Sequence, residues 1–178
     1  MSVRQISIKS LDLRQLKGSI TRPSNVDAYA AGDVISAVTS NDHFTFVNPF
    51  KRVNSGEVLA VNVNSSANQA TKPDLELWLF HTDIAEVADN LAFAPTDAEM
   101  LTCVGVIPIP LAAWVEGTAT VGAGGNIFQQ VKDLNMVMQL ATANDNTGNH
   151  LYGQLVVRNA YTPVSAEVFT VELLVRQD

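Results

Sequence analysis

The chain has 178 residues, 47% of them hydrophobic and 16% charged, and carries a formal net charge of −7. That length suits one domain with its own core, and the apolar content excludes bulk disorder. The acidic balance argues against a nucleic-acid partner, which needs a basic face, and no apolar run nears the ~18 residues that span a bilayer.

The charge is uneven. The first 22 residues hold Arg4, Lys9, Arg14, Lys17 and Arg22 against Asp12, a net of +4, and the remainder carries −11. Val3, Gln5 and Ser7 alternate weakly with Ile6 and Ile8, while Leu11, Leu13 and Leu16 fall between the bases without a helical period. Gly18 and Pro23 punctuate the end. The pattern predicts an extended N-terminal arm over residues 1–24 and a body over 25–178. The competing reading of the same segment is an edge strand with solvated charges. No apolar secretory leader opens the chain, so a cytoplasmic site of synthesis is expected.

The body reads as strand after strand. Residues 33–39 and 43–47 are β-rich, separated by Ser40-Asn41-Asp42 and stopped by Asn48-Pro49. After the turn Asn54-Ser55-Gly56 comes a strand over 57–64, with Val61 and Val63 on one face and Asn62 and Asn64 on the other. In 74–81, Leu75, Leu77 and Leu79 share one face and Trp78 and Phe80 the other, which predicts a strand covered on both sides with Trp78 in the core.

Residues 82–100 form an acidic, Ala-rich excursion. Within it Thr96-Asp97-Ala98-Glu99 has the capping-box spacing, predicting a helical turn over 96–101. Strands follow at 102–109, 114–121, 127–131, 134–140, 151–158 and 168–175. In the fourth of these Leu134, Met136, Met138 and Leu140 point inward, and in the last Phe169, Val171, Leu173 and Val175 do. About eight to ten short strands, a long cross-connection and no repeat predict an all-β, jelly-roll-like antiparallel sandwich.

Residues with chemistry are sparse. His43, His81 and His150 stand in no metal-binding spacing, and strand-end hydrogen bonds to Asp42 and Asp83 are the expected roles of His43 and His81. Gly122-Ala123-Gly124-Gly125 lacks the lysine and helix of a phosphate loop. Asn144-Asp145-Asn146-Thr147-Gly148-Asn149 alternates oxygen donors as a calcium loop does, but without the bidentate Glu it reads as a turn. Cys103, the single cysteine, is expected to be a buried inert thiol. Trp114, beside Ala113, Val115 and Glu116, is the candidate surface contact. The sequence calls for no cofactor, no metal ion and no catalytic residue.

Four stretches carry a family likeness: Asn25-Val26-Asp27-Ala28-Tyr29-Ala30-Ala31-Gly32-Asp33-Val34-Ile35-Ser36, Leu77-Trp78-Leu79-Phe80-His81, Ala88-Asp89-Asn90-Leu91-Ala92-Phe93-Ala94-Pro95-Thr96-Asp97, and Tyr161-Thr162-Pro163-Val164-Ser165-Ala166-Glu167-Val168-Phe169. The chain resembles tailed-bacteriophage capsid decoration (cement, or auxiliary head) proteins over most of residues 25–175. The resemblance implies a homotrimer on the outer capsid surface of the virion that clamps neighbouring capsomers against internal DNA pressure. Its partners would be the major capsid protein and itself, with no nucleic acid and no membrane. Shells of this kind are acidic outside, so Arg4, Lys9, Arg14, Lys17 and Arg22 become the expected capsid-binding residues. An arm of about 22 residues at ~3.3 Å each reaches on the order of 70 Å. The alternative is a carbohydrate-binding sandwich on a virion appendage, with Trp114 as its platform. A small hydrolase is the third reading, and no acid, base and nucleophile set supports it.

Overall fold

A computed structural model describes residues 12–38, 42–50, 55–117, 125–140 and 150–177. The strands are β1 (Asp12–Thr21), β2 (Val34–Ile35), β3 (Phe44–Val47), β4 (Ser55–Ser65), β5 (Leu75–Phe80), β6 (Cys103–Ile109), β7 (Val115–Glu116), β8 (Ile127–Val131), β9 (Met136–Gln139), β10 (His150–Val157) and β11 (Val168–Gln177). One helix, α1 (Asp97–Met100), lies between β5 and β6.

Every pairing is antiparallel, in two sheets. The six-stranded sheet runs β1-β11-β4-β8-β7, with β9 also on β4. The five-stranded sheet runs β2-β10-β5-β6, with β3 also on β10. β8 and β9 take successive halves of one edge of β4, as β2 and β3 do of β10. With each broken pair counted as one strand and the two-residue β7 set aside, the described strands follow the double Greek key of an eight-stranded jelly roll. The expected sandwich is the observed fold.

Alternation builds the core. Val61 and Val63 of β4, Leu75, Leu77 and Leu79 of β5, and Phe169, Val171, Leu173 and Val175 of β11 are all fully buried between the sheets. Met138 and Leu140 join them, with Leu134 and Met136 packed at the margin. The capping box forms at α1: the Thr96 hydroxyl accepts from Glu99 N–H while the Glu99 carboxylate accepts from Thr96 N–H. Two strands are shorter than their composition predicts, 33–39 reducing to β2 and 114–121 to β7, with 39 and 118–121 outside the described residues.

The main correction concerns the arm. Asp12–Thr21 is a full strand, paired with β11 from Asp12↔Gln177 to Thr21↔Val168. Its inward positions are Arg14, Leu16, Gly18 and Ile20, with Leu16 and Ile20 buried. An arginine and a glycine at two of four inward positions hide the alternation from a reading of hydrophobicity. Gly18 is required there, because a Cβ would stand 2.9 Å from Phe44 Cδ1. Residues 12–24 of the expected arm therefore belong to the sandwich; residues 1–11 lie outside the described residues.

Candidate functional site

The bases expected to bind a capsid are used within the chain wherever they are described. Arg14 turns inward, its Nη1 donating to the carbonyls of Asn48 and Pro49 and tying β1 to the turn after β3. Lys17, on the outer face, pairs with Glu172 across the β1–β11 ladder at 3.5 Å. Arg22 is 0% exposed and cannot reach a partner outside the fold. Arg4 and Lys9 lie outside the described residues.

Arg22 is the centre of a buried polar cluster at one end of the sandwich. Its Nη2 pairs with Asp89 Oδ2 at 2.9 Å and donates to Asn25 Oδ1, its Nε donates to Tyr29 Oη, and its Nη1 donates to Val164 O. Tyr29 Oη–H in turn donates to Asp89 Oδ1 at 2.6 Å, an oxygen that also accepts from Ser36 N–H. Tyr29 stacks on Tyr161 with ring centroids 5.2 Å apart. Beside them Glu167 accepts from Ser65 Oγ and from Val164 N–H. Hydrogen bonds cover most of the ionic groups, as burial of charge demands.

The electrostatics follow from that burial. Desolvation alone would lower the Arg22 pKa, but Tyr29 and Asp89 hold the guanidinium and leave it raised. Desolvation raises the Tyr29 hydroxyl, and its hydrogen bond to Asp89 raises it further. Tyr161 is pushed well up by burial and then by the nearby Glu167. Burial raises the Glu167 carboxyl, partly offset by its hydrogen bonds from Ser65 and Val164. The cluster fastens the end of the sandwich through paired and hydrogen-bonded groups.

Three of the four family-like stretches meet at this cluster. Tyr29 N–H bonds to Tyr161 O, Asp33 bridges to Ala92, and Asp89 reaches Tyr29 and Arg22. The fourth stretch lies under the excursion, where Phe93 caps Trp78 and Phe80 edge-on at 5.4 and 6.3 Å. Trp78 is thus half-buried on the outer face, not in the core between the sheets.

Trp114 corrects a second expectation. A single 3-10 turn, Leu111–Ala113, folds it back into the sandwich, where it is 9% exposed and its Nε1 donates to Pro73 O at 2.7 Å. It offers no flat surface to a ligand. Cys103, expected to be buried, is half-buried at the start of β6, and desolvation raises its thiol pKa.

The histidines are less isolated than their spacing implies. His43 Nε2 meets Asp83 Oδ1 at 3.1 Å, and His43 and His150 both pack edge-on against Tyr152. His81 Nδ1 meets the Thr82 hydroxyl at 3.0 Å. Among the described residues no three His, Cys, Asp or Glu side chains are placed to hold a metal, and no helix is long and apolar enough to cross a membrane. A pocket of about 290 Å³ opens beside Ala28, Gln69, Thr71 and Tyr161, without a nucleophile and base on its walls. The Gly122-Ala123-Gly124 tip and the Asn144–Asn149 turn lie outside the described residues.

No protein-family model matches the chain, and no curated protein matches it. Among solved structures, the capsid of Ralstonia phage GP4 aligns at a TM-score of 0.41 and 12% identity, over 100% of this chain and 91% of that one. Desmodium yellow mottle tymovirus aligns at a TM-score of 0.28 and 10% identity, over 99% and 86%. Both likenesses are too loose to bear on function.

Asp89, Tyr29, Tyr161 and Glu167 escape a reading of sequence spacing. They come from three separate stretches, with Tyr161 and Glu167 sharing one, and a lone buried acid has no local signature.

Proposed function

We propose that this chain is a structural protein of a tailed-phage particle, a decoration or cement protein seated on the outer capsid surface. It clamps neighbouring capsomers, with the major capsid protein and further copies of itself, as a homotrimer, for partners. Neither nucleic acid nor a membrane enters this reading. The observation that carries it is a jelly roll fastened by a buried ion cluster in which Arg22 joins three of the stretches that give the family resemblance. A clamp under load needs such fastening and needs no reactive centre.

Arg14, Lys17 and Arg22 have partners within the fold, so shell docking falls to Arg4 and Lys9 in residues 1–11. Copies joined in one oligomer bind with avidity, so each contact need not be strong. The glycan reading loses its platform with Trp114 buried.

The test is a truncation that stops at residue 11, short of β1. Expected is a folded body that no longer decorates purified capsids lacking the protein. Undiminished decoration by the truncated chain overturns the role of the leader.

A further inference from the structure

The two sheets present different outer faces. That of the five-stranded sheet is partly covered by the chain itself, through Phe93 on Trp78 and Phe80, with Val47 and Val106 left exposed on β3 and β6. That of the six-stranded sheet carries, among the described residues, four large exposed apolar side chains: Leu13 at 51%, Leu174 at 37%, Val137 at 78% and Val115 at 63% exposure, of which the first three lie close together. The register gathers them. Leu13 lies opposite Arg176, Arg176 opposite Glu57, and Glu57 opposite Val137, with Leu174 two residues along β11.

The charges on this face are closed among themselves. Lys17 pairs with Glu172, and Arg176 with Glu57, so these four charges on the face cancel. The chain's −7 therefore resides elsewhere. Two copies of one acidic chain repel least where each is locally neutral. The surrounding polar positions are uncharged, with Ser19 and Thr170 bonded to each other at 2.9 Å and Gln130 donating to Asn62 at 2.8 Å.

The size also fits. Four strand widths at ~4.8 Å by ten residues at ~3.3 Å give on the order of 600 Å² of flat area. With an equal area on the neighbouring copy, such a face hides about 1,200 Å² in all, the lower bound of specific interfaces. An exposed apolar group of this kind marks an interaction site more often than an accident of composition.

We infer that this face is where one copy of the chain packs against another. The inference gives residues to the self-association in the function proposed above and rests on that reading for its setting, but its test needs no capsid. Sedimentation of the full chain at micromolar concentration is expected to show an oligomer. The double variant Leu174→Glu, Val137→Glu is expected to sediment as a folded single chain, with its circular dichroism unchanged. Leu101→Glu, at an 86% exposed position after α1, serves as the control and is expected to leave the oligomer intact. A wild-type chain that is monomeric, or an oligomer that survives the double substitution, overturns the inference. If the oligomer behaves as expected while the truncation at residue 11 still decorates capsids, only the leader's role falls.

Discussion

Arg22 and Asp89 are 67 residues apart in the chain and 2.9 Å apart in space. Both are almost wholly shielded from water, at 0% and 5% side-chain exposure. Removing one charge leaves the other buried and uncompensated, which costs about 3–5 kcal/mol. Asp89→Ala is expected to lower the unfolding free energy by that amount, read from the shift of the urea midpoint, whereas an exposed ion pair such as Lys17–Glu172 contributes at most about 1 kcal/mol. Glu167 supplies a pH signature. Its folded pKa is raised by burial, so the stabilisation it gives is complete below the unfolded carboxyl value of about 4.3 and is lost as pH rises through the folded value. Glu167→Gln removes that dependence. Melting temperature followed upward from pH 4 is expected to fall for the wild type relative to the variant, and parallel curves would show that the carboxyl is not perturbed.

At the scale of elements, β1 shows how a strand hides in a sequence. Its outward residues are Leu13, Gln15, Lys17, Ser19 and Thr21, and its inward ones mix Leu16 and Ile20 with Arg14 and Gly18. Both faces look mixed, so no hydrophobic alternation stands out, although the ladder to β11 runs the full ten residues. β5, β9 and β11 were legible because each has a consistent inward face. Close approach between elements imposes a second constraint invisible in composition. A Cβ on Gly56 would stand 2.3 Å from Phe50 Cε1 and 2.6 Å from Arg176 O, a backbone atom of β11. Gly56→Ala is expected to destabilise by roughly 1–3 kcal/mol, as overpacking does, read as a lower melting temperature. An unchanged melting temperature would mean that β4 and β11 separate there at little cost.

Over the whole molecule the charge asymmetry changes meaning. The first 22 residues are +4 in sequence, yet Lys17 is matched by Glu172 and Arg22 by Asp89 once the chain folds. The cationic surface that composition implies is thus partly consumed inside the domain. This is why the docking test removes residues 1–11 alone; a cut through residue 22 would also strip Leu16, Ile20 and Arg22 from the interior.

By itself the sequence determined the fold class, most strands and their inward residues, and the capped turn at Thr96–Glu99. These rest on period-two alternation and on contacts three residues apart, which the chain specifies locally. Only the tertiary structure decided that β1 completes a sheet, that Trp114 donates to Pro73 inside the sandwich, and that Arg22 is sealed against Asp89 and Tyr29. Those outcomes depend on which distant segments meet, and a side chain's freedom to bind outward is settled by partners that its neighbours in sequence do not reveal.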